Sequence, residues 1–336
     1  MSLKDFRGEV WTNVHPEIMN ELVRINGDAV DGKVGNDSYT RAATRELQKY
    51  FDDEIRVVYA VNGTAANILA LKSMLERWAS VLCEEHTHIN THECGAFESM
   101  LGNKILAIQG EAGKLSARLI ENYLERIKSY KYLPRAVVLT QPTELGVLYT
   151  NEEIREICDL AHSRGMYVYV DGARLPNALV ALDTTLTEMI ESTGVDAFSF
   201  GGTKAGAMFG EAVIFRRSEH FAALEYLQKQ ALQHLDKSKF LGVQMQYLLE
   251  RGLWRETAAH ANAMAKYLES CLAQKGISPC YAVETNTVFC VLSEEQLECI
   301  NQRYDVSYWD RESRVVRLVT SFSTCKEAID ELVALL

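Results

Sequence analysis

From Val57 onward, short unbroken apolar runs alternate with longer stretches in which apolar residues recur every three or four positions. The runs fall at 57–61, 80–83, 104–108, 136–140, 167–170, 196–200 and 211–215. Runs this short, with no polar face between them, predict strands covered on both sides. The longer stretches predict helices at 65–78, 115–130 and 152–164. Strands and helices in alternation predict an α/β fold, with a mostly parallel seven-stranded sheet flanked by helices. Upstream, His15-Pro16-Glu17 and Ser38-Tyr39-Thr40-Arg41 open two helices. Downstream, 225–274 is helix-rich and amphipathic. An extended segment at 281–292, a helix at 294–303, strands at 306–309 and 315–319, and a helix at 326–336 then form a small C-terminal α+β domain. The expected division is an arm at 1–14, a large domain at 15–245 and a small domain at 246–336.

A chain of 336 residues can bury the cores of both domains. Lys and Arg total 35 against 46 Asp and Glu, a net charge of −11, which argues against a general nucleic-acid or acidic-membrane binder. A small anionic ligand needs only a local positive site. The start, Met1-Ser2-Leu3-Lys4-Asp5-Phe6, lacks the apolar centre of a signal peptide, and no apolar stretch is long enough to span a bilayer. The expectation is a cytoplasmic protein, with its eight cysteines as buried reduced thiols because they form no CxxC pair.

Two strand ends carry reactive groups. Val170 leads into Asp171-Gly172-Ala173-Arg174, and Phe200 leads through Gly201-Gly202-Thr203 into Lys204. An acid and an amine at the ends of neighbouring strands suit pyridoxal 5'-phosphate. The carboxylate holds the pyridine nitrogen protonated, and the amine forms a Schiff base with the aldehyde. Each residue also has a plainer reading: a turn aspartate before Gly172, a solvated loop lysine, and a surface ion pair for Arg174. The Arg174 fork also suits a carboxylate or phenolate oxygen. Asn62-Gly63-Thr64 joins a strand to a helix, where backbone amides and the helix dipole would hold a phosphate. An ordinary helix cap by Asn62 or Thr64 fits the same residues. Gly110-Glu111-Ala112-Gly113-Lys114 lacks the spacing of a nucleotide P-loop.

The histidine-rich segment 85–93 admits two chemistries. His88 and His92 are four residues apart, which suits a metal on a helix and, with His86, a metal-dependent hydrolase. In the zincin pattern the glutamate directly follows the first histidine, whereas Glu93 follows the second. An imidazole stacked on a pyridine ring, free to act as a base, fits as well. His86 fits a hydrogen-bonded structural role.

Together, Asn62-Gly63-Thr64, His88-x-Asn-x-x-Glu-Cys-Gly95, Thr140-Gln-Pro-Thr-Glu-x-Gly146, Asp171-Gly-Ala-Arg174 and Ser199-Phe-Gly-Gly-Thr-Lys204 resemble the threonine aldolases. These are pyridoxal-phosphate enzymes of the aminotransferase-like fold, in the β-eliminating lyase group. The resemblance runs from about Phe6 to Thr320. It implies a carbon–carbon lyase that cleaves a β-hydroxy-α-amino acid, such as threonine or allo-threonine, to glycine and an aldehyde. It also implies Lys204 as the Schiff-base lysine, Asp171 as partner of the ring nitrogen and His88 stacked on the ring. Gly63 and Thr64 would hold the phosphate, with Asn62 and Thr203 also in the cofactor set. Arg174, Arg317 and His92 would meet the substrate, Arg174 lying near the cofactor phenolate as well. His88 is the first candidate base and Glu144 the second. Where the family has Ser-Asp this chain has Gly8-Glu9, and Val34 replaces a tyrosine. One branch of the family has a histidine at the position of Glu144. Because these substrate-facing positions differ, β-elimination or another reaction on a different amino acid is the nearest rival, and serine at position 8 is expected to lower KM. Enzymes of this fold share active sites between subunits, so the resemblance implies a homodimer or homotetramer. Lys229, Lys237 and Lys239 are the candidates for a cross-subunit phosphate contact.

Overall fold

The computed structural model describes residues 5–29, 31–127 and 131–336. Its main sheet has seven strands: β1 (Arg56–Ala60), β2 (Ser80–Glu84), β3 (Lys104–Ile108), β4 (Pro134–Thr140), β5 (Tyr167–Asp171), β6 (Ala197–Gly201) and β7 (Glu211–Phe215). Their spatial order is β1-β7-β6-β5-β4-β2-β3. Pairing is parallel from β6 through to β3. The exception is β7, antiparallel to both β1 and β6. The sheet is therefore mixed, although its apolar runs look alike in sequence.

Alternation along each strand divides the core between the two faces. Val168, Val170, Phe198 and Phe200 enter one apolar cluster, whereas Tyr169, Ala197, Val213 and Phe215 enter another. The helix Gly63–Met74 packs on the second face, and its buried residues run almost without a break from Ala66 to Leu71. It starts before residue 65 because the Asn62 side chain accepts from the Ala65 amide and fixes Gly63 as the first helical residue. It ends before residue 78, where Leu75 turns extended and Trp78 stands exposed. The helix expected at 115–130 runs over Ala117–Arg126, capped by Ser116; residues 128–130 lie outside the described chain.

A three-stranded antiparallel sheet follows, with β10 (Val315–Val319) between β8 (Thr287–Val291) and β9 (Tyr308–Asp310). The extended segment expected at 281–292 is thus ladder-paired only from Thr287, with one isolated bridge between Pro279 and Cys290. The helix-rich stretch is three helices, Leu224–Gln230, Lys239–Glu250 and Leu253–Gln274. Gly252, at φ 68°, provides the left-handed turn between the last two. The N-terminal segment lies on the small sheet: Phe6 is buried there and its carbonyl accepts from the Val319 amide at 2.8 Å. None of the described helices is long and apolar enough to cross a membrane.

Candidate active site

The C-terminal ends of β1, β2, β4, β5 and β6 open onto one edge of the main sheet, where β7 begins with Glu211. Nearly every expected site segment leaves one of these ends. Residues 62–64 follow β1, 86–93 follow β2, Glu144 follows β4, Asp171 and Arg174 end or follow β5, and Lys204 follows β6. Such an edge is where open α/β sheets bind ligands.

Asp171 is buried at the last position of β5, on the same face as Tyr169 two residues earlier. That face meets the helix Gly63–Met74, which places Asn67 opposite both. Asn67 Nδ2 donates to Asp171 Oδ2 at 2.9 Å and to Glu93 Oε1 at 2.8 Å. Asn67 Oδ1 accepts from the Tyr169 hydroxyl at 2.9 Å. The second Asp171 oxygen accepts from the Ala173 amide at 3.0 Å. Asn67, Tyr169 and Glu93 were given no role from the sequence. One signal was present: an asparagine inside an otherwise apolar helical run must be buried with partners.

Close backbone packing joins the ends of β5 and β6. The Gly201 amide donates to the Gly172 carbonyl at 3.0 Å. A Cβ on Gly172 would lie 1.9 Å from the Ser199 carbonyl oxygen, and one on Gly201 would lie 2.2 Å from that of Ala173. Glycine is therefore required at both positions. The two glycines let the acid and the amine leave adjacent strand ends. Lys204 is partly buried, and burial and the charge of Arg174 push its pKa below the usual lysine range. A larger share of its amine is consequently neutral and nucleophilic. Glu211, beneath it, is buried with its pKa raised to about 7, and its Oε2 accepts from the Gly202 amide. Thr203 Oγ1 accepts from the Gly210 amide at 3.1 Å, which bends the lysine loop back toward β7.

The three histidines do not converge. His86 Nδ1 meets Glu84, His88 Nδ1 meets Glu93 at 2.8 Å, and His92 Nδ1 meets the Thr91 hydroxyl. Among the described residues, the one carboxylate–imidazole group with metal-ligand proximity is Glu84, Glu85 and His86, which excludes His88 and His92. A single helical turn instead stacks the His88 and His92 rings, with centroids 5.5 Å apart and planes 17° apart. Trp309, from the small sheet, continues the stack at 5.1 Å from His92. The Arg317 guanidinium carbon lies 4.7 Å from the Trp309 ring centroid. Burial and the charge of Arg174 lower the pKa of Arg317. The carboxylate of Glu144 is the shared electrostatic neighbour of His88, His92, Lys204, Arg174 and Arg317.

Arg174 is held by an acid from the N-terminal segment. Its Nε and Nη2 donate to Glu9 Oε1 and Oε2 at 2.7 and 3.0 Å. Asn286 Nδ2 also donates to Glu9 Oε1, at 2.6 Å. Glu9 therefore bridges the large-sheet arginine and the segment leading into β8. Although burial opposes it, Arg174 draws the Glu9 pKa down to about 2. The bidentate pair leaves only the Nη1 edge of Arg174 for a ligand.

At the helix start, Asn62 makes the ordinary cap, while the nearest heavy atom to a Cβ on Gly63 would be the Ala173 side chain at 4.0 Å. The start of this helix therefore packs loosely against the β5 exit, with only an ordinary contact to Ala173. Lys239 is excluded as a contact to a second subunit: its buried Nζ donates to the carbonyls of Ile25 and Asp28. Lys229 and Lys237 are exposed. None of the eight cysteines is in a disulfide, but only Cys83, Cys158 and Cys290 are buried, which corrects the expectation of buried thiols throughout. Val34 lies exposed between the arms of a two-residue hairpin.

A family model described as beta-eliminating lyase matches residues 5–295. The chain belongs to the beta-eliminating lyase family. A low specificity L-threonine aldolase from Pseudomonas sp. is 35% identical to this family member over 98% of the chain and 96% of its own length. The structure of a Leishmania major threonine aldolase superposes with a TM-score of 0.91 at 30% identity, covering 97% of this chain and 96% of that one. An alanine–glyoxylate aminotransferase from Nostoc sp. superposes at 0.72 and 16% identity, covering 100% and 94%, and so shares the aminotransferase-like fold. The chain is accordingly a lyase of that fold.

Proposed function

We propose that this lyase is a pyridoxal-phosphate-dependent aldolase. It would cleave a β-hydroxy-α-amino acid, threonine and allo-threonine among the candidates, to glycine and an aldehyde. The observation that carries the reading is that buried Asp171 and Lys204 follow adjacent strand ends, in a chain similar throughout its length to L-threonine aldolases. The residues suit the cofactor. An acid, an amine and a helix start at Gly63 follow the ends of β5, β6 and β1 on one edge of the sheet. When bound, pyridoxal phosphate supplies an electron sink for the bond broken at Cα.

The protein's own residues do the rest. Lys204 offers an amine whose pKa burial and the charge of Arg174 lower. Asp171, held by Asn67 and the Ala173 amide at the end of β5, would partner the ring nitrogen. Arg317 and the free edge of Arg174 form a cationic pair for the substrate carboxylate. Their mutual repulsion favours an anion between them. His88 takes the β-hydroxyl proton, with Glu144 as the second candidate. Holding the carboxylate fixes the angle of the bond that breaks. Exposed Tyr226 and Leu232, beside exposed Lys229 and Lys237, support a face shared with a second copy of the chain.

The test combines absorption spectra with product assays on the protein supplied with pyridoxal phosphate. A visible band should form, change with β-hydroxy amino acids, and accompany release of glycine and aldehyde. Binding without glycine from threonine, allo-threonine or phenylserine would refute the aldolase reading. Pyruvate and ammonia from serine would place the chain with the β-eliminating reaction.

A further inference from the structure

Glu93 is a buried carboxylate that the mechanism above leaves unused. Its side chain is fully covered, and its Oε1 lies 2.8 Å from both His88 Nδ1 and Asn67 Nδ2. Its Oε2 is buried without a hydrogen-bond partner. Asn67 spends its amide on two carboxylates, Glu93 and Asp171. The orientation of that amide is chemically determined. With the two carboxylates on one side and the Tyr169 hydroxyl on the other, the NH2 group faces the carboxylate oxygens and Oδ1 accepts from the hydroxyl. The same logic gives the His88 tautomer: Nδ1 carries the hydrogen donated to Glu93, and the lone pair sits on Nε2.

We propose that Glu93 is a positioning residue that fixes His88 in the Nδ1–H tautomer with Nε2 as the base, and that Asn67 ties this dyad to Asp171. The proposal rests on the aldolase reading for the role of His88, though not for its geometry. It explains why a polar asparagine sits in an apolar helix. Without its amide, the acceptors Glu93 and Asp171 would lose their shared donor in a low-dielectric interior. The remaining groups facing His88 are Glu144, Asp171 and the stacked ring of His92. Burial works against protonation of His88, but Glu93, Glu144 and Asp171 together raise its pKa. The pair follows the arrangement in which a carboxylate holds an imidazole for proton transfer.

Two measurements test it. In cofactor-free protein carrying ¹⁵N-labelled histidine, His88 should show the Nδ1–H tautomer, assigned by loss of its signals in His88→Asn. Glu93→Gln should change the tautomer ratio and lower the pH at which His88 gives up its proton. Glu93→Asp should restore both in part. With cofactor bound, Glu93→Gln should lower kcat for aldol cleavage roughly 10- to 100-fold, while KM for glycine stays within about twofold of wild type. Asn67→Ser should show the same pattern more weakly. An unchanged tautomer in Glu93→Gln, or equal losses in kcat and in cofactor affinity, would overturn the proposal. Wild-type protein that shows the tautomer but cleaves no β-hydroxy amino acid would refute the aldolase reading and leave the dyad standing.

Discussion

The two sides of the crevice are built differently. On the large-sheet side, Asp171, Asn67, Glu93 and His88 are joined by hydrogen bonds of 2.8–2.9 Å between groups that are mostly buried. On the small-sheet side, Arg317 rests on the Trp309 ring at 4.7 Å and donates to the Arg7 carbonyl at 3.5 Å. His92 and Trp309 meet only as stacked rings. Short directional bonds fix one set of positions, whereas ring contacts are weak and tolerate small shifts. Substitutions on the first side should therefore remove the chemistry, and those on the second should tune the fit.

Lys204→Ala should produce the largest loss. The amine follows β6, beside the β5 exit that carries Asp171. The visible absorbance of the bound cofactor should disappear, and turnover should fall roughly 1,000-fold or more. A retained band, or turnover near wild type, would break the assignment of the amine and with it the contrast between the two sides.

Glu9 is the point where the two sides meet, because it holds Arg174 from the large sheet and Asn286 beside the small one. Its folded pKa of about 2 lies below the ordinary value of 4.5. A depressed carboxylate contributes stability that is fully present above the unfolded pKa and is lost as pH falls through the folded one. The affected window is thus about pH 4.5 down to 2, and the shift corresponds to about 3 kcal/mol. Denaturation midpoints measured across that window should fall with acid in the wild type. Glu9→Gln should be less stable at neutral pH and show a shallower acid slope. Equal slopes would mean that Glu9 does not tie the two sheets together.

What was legible in the sequence follows from spacing. Asp171 and Lys204 stood out because each follows an unbroken apolar strand, and parallel pairing of β5 with β6 brings those exits together. The separation of four residues put His88 and His92 on one helical turn, whereas the stacking of their rings on each other came only with the structure. The antiparallel β7 did not stand out, since a strand buried on both faces has the same apolar pattern in either direction. Nor did the partners of Asn67, which lie 26 and 104 residues away. The same holds for Glu9 and Arg174, separated by 165 residues. Periodicity reports a residue's face and burial; it carries no information on which distant element covers that face. Trp309 is the plainest case, since it reaches His92 only through the packing of a second sheet.

Trp309→Ala probes that second sheet. It removes a cation–π contact worth about 0.5–2 kcal/mol and frees the guanidinium of Arg317. KM for threonine and for glycine should rise together by a few fold, because both carry the same carboxylate, while kcat changes little. Trp309→Phe should keep most of the wild-type KM. A fall in kcat at constant KM would instead place Trp309 with the proton-transfer groups.

Gly8→Ser should have the smallest effect and the finest resolution. Residue 8 lies between Arg7, whose carbonyl accepts from Arg317, and Glu9, which holds Arg174. It is therefore flanked in the chain by the anchors of both guanidiniums proposed for the substrate carboxylate. No heavy atom lies within 4 Å of the place where its Cβ would go, so a serine side chain has room. One added hydrogen bond to a bound carboxylate contributes about 0.5–1.5 kcal/mol, which is at most about a tenfold drop in KM with kcat unchanged. The comparison to make is threonine against glycine in the same variant. If both KM values fall alike, the hydroxyl meets the carboxylate the two share. If only threonine improves, it meets the β-carbon side. If neither moves, Arg317 and Arg174 already hold the carboxylate without residue 8, and the weaker side of the crevice depends on its arginines alone.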